Sequence, residues 1–245
     1  MREPYLSVII PAFDETARLG KTLSEIISFL GREPYESEII VVDDGSRDGT
    51  TEVAEKRLSD FPHEILKNPF NKGKGRAVRQ GMLKGRGKFL LFTDADLSTP
   101  IEEVRNFLRQ LHQGYDIVIG SRAHPQSNLE VRQNPIRENM GKIFNRLARR
   151  LAFREVRDSQ CGFKCFKREA AKDLFSRQKL EGFSFDAEII YLAQRLGYKI
   201  LEAPVTWRNS PQSRVRVLTD PVRMLRDLVR IRWSHRNLTS AEHAD

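Results

Sequence analysis

Five apolar or β-branched residues, Phe89–Thr93, run directly into two carboxylates, Asp94 and Asp96. A strand that is buried on both faces of a parallel sheet has this composition. In an open α/β sheet, ligands bind at the carboxyl ends of the strands, which is where this pair would lie. Mg²⁺ and Mn²⁺ prefer such oxygen ligands and often bridge a protein carboxylate to a substrate phosphate. The stretch predicts a divalent-metal site at Asp94 and Asp96, and a strand ending in a solvated turn is the structural alternative.

Two earlier segments repeat this pattern of an apolar run followed by polar residues. Leu6–Ile10 predicts a short buried strand, and Glu38–Val42 predicts a second one that also ends on paired acids, Asp43 and Asp44. Apolar residues at helical spacing lie between the two strands, and further alternation of strands and helices follows. This order predicts an α/β fold with a mostly parallel, Rossmann-like central sheet flanked by helices.

A basic, glycine-rich segment, Asn71–Arg76, precedes a helix that is predicted to begin near Ala77. Main-chain N–H groups at the start of a helix bind anions, and the three cations of this segment favour the same role. It is not the phosphate loop of nucleoside triphosphatases, because the Gly-Lys-Ser/Thr ending is missing, and it does not follow the first strand as a dinucleotide fingerprint would. A flexible basic loop remains the alternative.

The second half of the chain is less regular. Residues 121–134 predict a mobile loop over the crevice, and 137–152 predict a basic amphipathic helix. Residues 158–166 fit neither a plain strand nor a plain helix. A further helix opens within 182–188, and Lys199–Trp207 predicts a late strand.

The charge balance points to an anionic partner. The chain has 42 basic and 33 acidic residues, for a net charge of +9, which suits nucleic acid, a phosphorylated small molecule or an acidic lipid surface. The basic residues are interleaved with other types and form no recognition motif, so nucleic acid is disfavoured.

Two cysteines, Cys161 and Cys165, have a spacing that suits one helix face, and no histidine cluster completes a zinc site. We interpret them as reduced and structural.

No run approaches the roughly 18 apolar residues that span a bilayer, and the N-terminus shows no signal-peptide pattern, which together predict a cytoplasmic protein.

The C-terminal part, residues 211–245, is predicted to carry an amphipathic helix outside a main domain of residues 1–210. Its apolar stripe consists of Leu218, Val222, Leu225, Leu228, Val229, Ile231 and Trp233. Arg223, Arg226 and Arg230 lie on a neighbouring face, with Arg216, Arg232 and Arg236 near the ends. This is the pattern of a helix lying in a membrane interface, and packing against the domain or a partner subunit is the alternative.

Four motifs occur in one fixed order along the chain. They are Val8–Glu15, Val41–Thr50, Asn71–Gly75 and Asp94–Asp96. Together they resemble glycosyltransferase family 2, whose members have the GT-A fold. Three later segments narrow the resemblance to polyprenyl-phosphate sugar synthases, particularly dolichyl-phosphate β-glucosyltransferases. These are Asp158–Lys164, Phe183–Glu188 and Pro204–Trp207.

The resemblance implies an inverting, metal-dependent hexosyltransferase. Glucose from UDP-glucose would be moved onto a polyprenyl phosphate by a peripheral protein on the cytoplasmic face of a membrane. A hydroxyl acceptor on a glycan or small molecule, or GDP-mannose as donor, is the alternative. Ser98 stands where mannosyl relatives commonly have Gln, which argues mildly against mannose. The membrane anchors of dolichyl and bacterial relatives have no counterpart in this sequence. A homo-oligomer is possible.

The resemblance also implies roles for individual residues. The nucleotide base and ribose would be held by Pro11, Phe13, Glu15, Val42 and Asp44. Asp94 and Ala95 would line the ribose and sugar, while Asp96 would bind Mg²⁺ or Mn²⁺ on the pyrophosphate. Arg122 and Arg137 would face the donor and the acceptor phosphate. Arg214 would lie near the donor pyrophosphate. Apart from the resemblance, the charge that develops on the leaving diphosphate needs cations, which Arg214 and Lys74 could supply.

The acceptor determines whether a general base is needed. A sugar hydroxyl must lose a proton as it attacks, which requires a poised carboxylate. A phosphate monoester has a second pKa of about 6, is largely dianionic at neutral pH, and needs only cations to orient it. Asp186 and Glu188 are therefore expected to be structural. A nucleotidylyltransferase, a further metal-dependent alternative, would typically show a glycine-rich loop directly after the first strand, which Pro11–Glu15 is not.

Overall fold

The structure is a computed structural model that describes residues 3–131, 145–149, 152–208 and 220–238. Its strands follow the apolar runs of the sequence. They are β1 (Leu6–Ala12), β2 (Ser37–Asp43), β3 (His63–Lys67), β4 (Phe89–Thr93), β5 (Ile117–Ser121), β6 (Asn128–Val131), β7 (Phe163–Lys167), β8 (Ile200–Pro204) and β9 (Thr206–Arg208).

The helices lie between the strands and follow the amphipathic segments. They are α1 (Thr16–Leu30), α2 (Thr50–Leu58), α3 (Lys74–Lys84), α4 (Val104–His112), α5 (Arg168–Arg177), α6 (Phe185–Arg195) and α7 (Asp220–Ser234). A 3₁₀ turn, Ile101–Glu103, precedes α4. Residues 145–149 are also helical, and Ala152 lies in a turn. The rest of the predicted 137–152 helix lies outside the described residues.

Seven strands form the central sheet, in the order β3-β2-β1-β4-β7-β5-β8. Neighbours are parallel except for β7, which runs antiparallel to both β4 and β5. The prediction of a mostly parallel α/β sheet is confirmed. This antiparallel strand lies in the middle of the sheet. Its residues overlap the segment 158–166, whose pattern fitted neither a plain strand nor a plain helix.

Alternate residues of each strand point into two apolar layers, as the pleat requires. Ile9 and Phe92 face the layer made by α3, α5, α6 and α7, while Val8 and Leu91 face the layer made by α1, α2 and α4. The sheet therefore lies between two layers of helices. Both edges of its central strands are paired, so β1 and β4 are held rigidly at the middle of the molecule.

Three local predictions were wrong. Within the predicted loop 121–134, residues Asn128–Val131 form β6, which pairs with β9 in a separate two-stranded sheet. The predicted strand Lys199–Trp207 is split at Val205 into β8 and β9. Cys161 and Cys165 do not lie on a helix: one precedes β7 and the other belongs to it, and both are buried and free. Burial raises the pKa of the Cys161 thiol to about 11, which fits an unreactive structural residue.

Helix α7 packs against the domain through one face. Leu228 and Ile231 are buried in the layer that also contains α6. Val229 and Trp233 are exposed. Of the predicted stripe, Leu218 lies outside the described residues, as do the side chains of Val222 and Leu225. No helix among the described residues is long and apolar enough to span a membrane.

Candidate active site at the carboxyl ends of the sheet

Strand β1 pairs with β2 on one side and with β4 on the other, so the order of the strands reverses beside it. In open α/β sheets, ligands bind in the crevice at such a point. The loops after β1 and β2 are tied together there. The main-chain N–H of Asp14 donates to Oγ of Ser46 at 2.8 Å, and that of Arg47 donates to Oδ1 of Asp14 at 3.0 Å. Asp14 has a positive φ of 48°, so the chain turns sharply where β1 ends.

The carboxylate of Asp44 is buried and holds the basic loop. It accepts hydrogen bonds from the main-chain N–H groups of Lys72 and Gly73, at 3.0 and 2.7 Å, and from Nδ2 of Asn68 at 2.9 Å. The segment before α3 is therefore fixed rather than free. A direct contact of Asp44 with the nucleotide stays a prediction, because the described bonds of this side chain go to the loop.

The side chain of Val42 is fully buried in the core, and Pro11 is buried as well. Any contact of Val42 with a nucleotide would have to use its main chain. Phe13 is partly exposed at the end of β1. The predicted roles of these three residues remain untested, although all of them lie at the switch point.

Arg18, in the first turn of α1, also lies at the site, although the sequence motifs did not predict a role for it. Its Nη2 donates to the carboxylate of Glu15 at 2.7 Å, and its Nη1 lies 3.7 Å from Oδ2 of Asp96. The hydrogen bond that Arg18 donates to Glu15 raises the pKa of Arg18 against the effect of burial. A cation in the first turn of a helix opposes the helix dipole, which is the one signal in the sequence that marks this residue.

Asp94 and Lys74 form an ion pair across the crevice. Nζ of Lys74 lies 2.6 Å from Oδ1 of Asp94. Burial would lower the pKa of Lys74, but Asp94 and Asp186 raise it above its usual value, so the ammonium remains charged. Asp94 is also packed tightly against Gly162, where an added Cβ would come within 1.9 Å of Oδ2. A larger residue at this position of the loop before β7 would displace the carboxylate of Asp94.

The carboxylate of Asp96, the predicted metal ligand, is oriented by a main-chain hydrogen bond. Its Oδ1 accepts the main-chain N–H of Ser98 at 3.0 Å, which orients the carboxyl group, and its side chain is partly exposed. Among the described residues there is no cluster of three or more acidic, histidine or cysteine side chains that could hold a metal. Mg²⁺ and Mn²⁺ are commonly held by one or two carboxylates together with waters and substrate phosphates. A site with Asp96 beside Asp94 fits that mode of binding.

Ala95, between the two acids, is buried and faces the α1 layer. Its carbonyl oxygen accepts a hydrogen bond from Oγ1 of Thr22 at 2.7 Å. This bond joins the segment Asp94–Asp96 to α1. The predicted contact of Ala95 with ribose or sugar is not tested by these contacts.

Arg122 is engaged by a buried partner. Its Nε and Nη2 donate to the carboxylate of Asp158 at 2.7 and 2.8 Å, and its main-chain N–H donates to the same group at 2.9 Å. Burial would raise the pKa of the Asp158 carboxyl, but the Arg122 guanidinium lowers it to about 2. The described contacts of Arg122 hold the loop before β7, and its predicted role on a phosphate remains a prediction. Arg137 and Arg214 lie outside the described residues.

A second buried ion pair lies beneath the site. Lys164 in β7 donates from Nζ to Oδ1 of Asp186 at 2.5 Å and to the carbonyl oxygen of Cys161 at 2.6 Å. The exposed fractions of the two side chains are 1% and 3%. Burial raises the pKa of Asp186, and Lys164 and Lys74 oppose this. The sequence could not assign Lys164, because a lysine inside an apolar strand gives no indication of its partner.

Carboxylates and a lysine at the switch point of a mostly parallel sheet, beside a fixed basic loop, define a GT-A glycosyltransferase domain. A glucosyl-3-phosphoglycerate synthase from Mycobacterium tuberculosis, solved with Mn²⁺, UDP and glucosyl-3-phosphoglycerate, has the same fold. Its TM-score is 0.65 at 22% identity, over 94% of this chain and 79% of that one. The model of Glycosyl transferase family 2 matches residues 7–175, and the chain belongs to this family.

Curated relatives extend the likeness to almost the whole chain. A dolichyl-phosphate beta-glucosyltransferase from Dictyostelium discoideum is 35% identical over 94% of this chain and 75% of its own length. A protein of the same name from Saccharomyces cerevisiae is 37% identical over 95% of this chain and 75% of its own length. The resemblance drawn from the motifs is thereby confirmed.

Proposed function

We propose that the protein transfers glucose from UDP-glucose onto a polyprenyl phosphate of the dolichyl type, with inversion at the sugar carbon. The observation that supports this most is the likeness to the two dolichyl-phosphate beta-glucosyltransferases, which reaches beyond the family domain to the C-terminal part of the chain. The geometry at the switch point supplies the groups that such a reaction needs.

The donor end of the site is built from Asp96, Asp94 and Lys74. A divalent cation, Mg²⁺ or Mn²⁺, would be held by Asp96 and would neutralise charge on the donor diphosphate. Lys74, kept charged by its carboxylate neighbours, is placed to stabilise the same leaving group. Asp96 and Lys74 together would offset the negative charge that develops as the bond to the sugar breaks.

The acceptor end needs no general base if the nucleophile is a phosphate dianion. Both acids at the start of α6 are already occupied in the structure. Asp186 is paired with Lys164, and Glu188 accepts the main-chain N–H groups of Lys179 and Leu180, at 2.9 and 2.8 Å. Neither is poised to take a proton from a hydroxyl acceptor. This favours the phosphate over the hydroxyl acceptor.

We further propose that the protein works at an anionic membrane surface, on its cytoplasmic face, where a polyprenyl phosphate would be presented. The outer face of α7 supports this. Trp233 and Val229 are 68% and 61% exposed, one helical turn apart, and the neighbouring Arg226, Arg230 and Arg236 are exposed as well. Apolar anchors beside cations are the features of a helix that lies in the membrane interface.

The experiment that tests the function is a transfer assay with purified protein. UDP-glucose, GDP-mannose and other nucleotide sugars are each offered with polyprenyl phosphate in detergent, with and without excess chelator, and the lipid product is read by mass. We expect a polyprenyl hexosyl phosphate to form from UDP-glucose only, and no product to form in the presence of chelator. A product from GDP-mannose, or transfer to a glycan hydroxyl but not to the lipid phosphate, would replace the proposal with the corresponding alternative.

A further inference from the structure

The buried ion pair of Lys164 and Asp186 lies directly behind the lysine of the donor site. We propose that this pair is a positioning device: it retains the ammonium of Lys74 in the donor site when a bound donor competes for Asp94. The inference rests on the proposed function, because it assigns Lys74 to the donor diphosphate.

The first step is the geometry of the pair. Nζ of Lys164 lies 5.1 Å from the centre of the Phe92 ring, and Nζ of Lys74 lies 5.9 Å from the same centre. One aromatic ring on the central strand β4 is therefore close to both ammonium groups. With the 2.5 Å contact to Asp186 and the 2.6 Å contact of Lys74 to Asp94, charges of alternating sign extend from β7 to the crevice.

The second step is the contact between the starts of α3 and α6. A Cβ added to Gly75 would lie 2.7 Å from Cβ of Phe185 and 2.8 Å from the carbonyl oxygen of Gly182. The start of α3 therefore lies against Cβ of Phe185, the first residue of α6, and against the main chain just before it. Lys74 and Asp186 are each next in sequence to a contacting residue. Because glycine is needed for this approach, the positions of Lys74 and Asp186 are coupled.

The third step is the difference between the two carboxylates that act on Lys74. The side chain of Asp94 is 35% exposed, whereas that of Asp186 is 3% exposed. A donor entering from solvent brings hydroxyl and phosphate groups that compete for Lys74 and Asp94. It cannot displace Asp186, which is buried and bonded to Lys164. The buried acid keeps attracting Lys74 when the exposed one is engaged by substrate.

If this pair served stability alone, apolar residues in its place would serve as well or better. Replacing a buried ion pair by apolar residues of similar volume is often neutral or stabilising, whereas removing one partner leaves an unpaired buried charge. The test is therefore the double variant Lys164→Met with Asp186→Leu. Lys167→Met is the matched control, since Lys167 lies on the same strand and pairs with Asp116 at 2.9 Å, away from the crevice.

Two readouts are measured for wild type, the double variant and the control. One is the KM for UDP-glucose and for the acceptor, and the other is the affinity for UDP with Mn²⁺ by calorimetry, which needs no acceptor. We expect the double variant to melt within a few degrees of wild type. Its donor KM and its Kd for UDP should rise roughly tenfold or more, because a small misplacement of a charged group is costly. Its acceptor KM and all values of the control should stay unchanged.

A folded double variant with wild-type donor KM and wild-type Kd for UDP would overturn the proposal. If the double variant does not fold, Lys164→Gln with Asp186→Asn replaces it, because that neutral pair keeps a hydrogen bond. The same two outcomes then apply. A wild-type protein that binds UDP but makes no lipid product would reject the proposed acceptor, while the comparison of UDP affinities would still decide the positioning role.

Discussion

Nε2 of His235 lies 2.6 Å from Oε1 of Glu188, and both side chains are buried. Glu188 is part of α6 and also accepts the main-chain N–H groups of Lys179 and Leu180. Oγ of Ser184 donates a second hydrogen bond between these segments, to Oδ2 of Asp227 at 2.8 Å. These contacts hold α7 along α6 and direct the opposite face of α7 outward. The C-terminal helix therefore packs on the domain with one face and leaves another available to a partner.

The exposed face of α7 predicts binding to anionic vesicles. Replacing Trp233 by Ala or Arg230 by Ala should weaken salt-sensitive sedimentation with vesicles that contain an anionic lipid. Each cation near such a surface contributes roughly 1 kcal/mol, so loss of Arg230 should weaken binding about fivefold. Leu83→Ala is the control, because Leu83 is an exposed apolar residue on α3. Sedimentation of the Trp233 and Arg230 variants equal to that of the control would remove this face from membrane binding.

Asp96→Asn should abolish transfer and leave the fold intact. The amide keeps the oxygen that accepts the Ser98 N–H but loses the charge that would hold a divalent cation. Activity is measured by product mass and folding by the melting temperature. Glu102→Gln, an exposed acid just beyond the site, should behave as wild type. Transfer at the full rate with excess chelator present would show that the metal is not required.

The Arg122–Asp158 pair predicts a defined pH dependence of stability. The pKa of the Asp158 carboxyl is 3.8 in the unfolded chain and about 2 in the fold. The unfolded chain therefore takes up the proton first as the pH falls. The pair should therefore contribute about 2 kcal/mol above pH of about 4, and this is lost between about 4 and 2. The difference in unfolding free energy between wild type and Asp158→Asn should shrink across that window, measured with urea. Parallel curves across the window would contradict this assignment, and Asp60→Asn, at an exposed position, serves as the reference.

Arg137→Ala should be the most damaging change on the acceptor side. The resemblance places this arginine on the acceptor phosphate, and loss of a charged hydrogen bond of about 2–3 kcal/mol corresponds to roughly a hundredfold fall in kcat/KM. The KM for polyprenyl phosphate and the affinity for UDP should separate acceptor from donor effects. Arg149→Ala is the control, because Arg149 is exposed in the helical segment 145–149. Equal activity of the two variants would move the acceptor site elsewhere.

The strands that carry the site could be predicted because burial on both faces leaves a continuous apolar run. β1, β2 and β4 were found in this way, and the acids that end them mark the crevice. The alternation of strands and helices was enough to give a mostly parallel sheet. Family resemblance, rather than the pattern alone, supplied the chemistry.

What could not be predicted depends on partners that are distant in sequence. β7 carries Lys164 in its middle, and its pairing with β4 is set by residues far away in the chain. The bond between Arg122 and Asp158 likewise joins segments 36 residues apart. The stripe on α7 was visible, but only the packing on α6 decides that Ile231 is buried and Trp233 is exposed.

The antiparallel strand at the centre of the sheet has a consequence for folding. Leu91 pairs with Cys165, so the strand that joins β4 to β5 is made long after both. Until residues 163–167 emerge from the ribosome, β4 and β5 each present an open edge, and edges of this kind invite pairing with other chains. Non-local pairing of this sort also slows folding. The middle of the sheet is therefore completed last among these three strands, when residues 163–167 join β4 to β5.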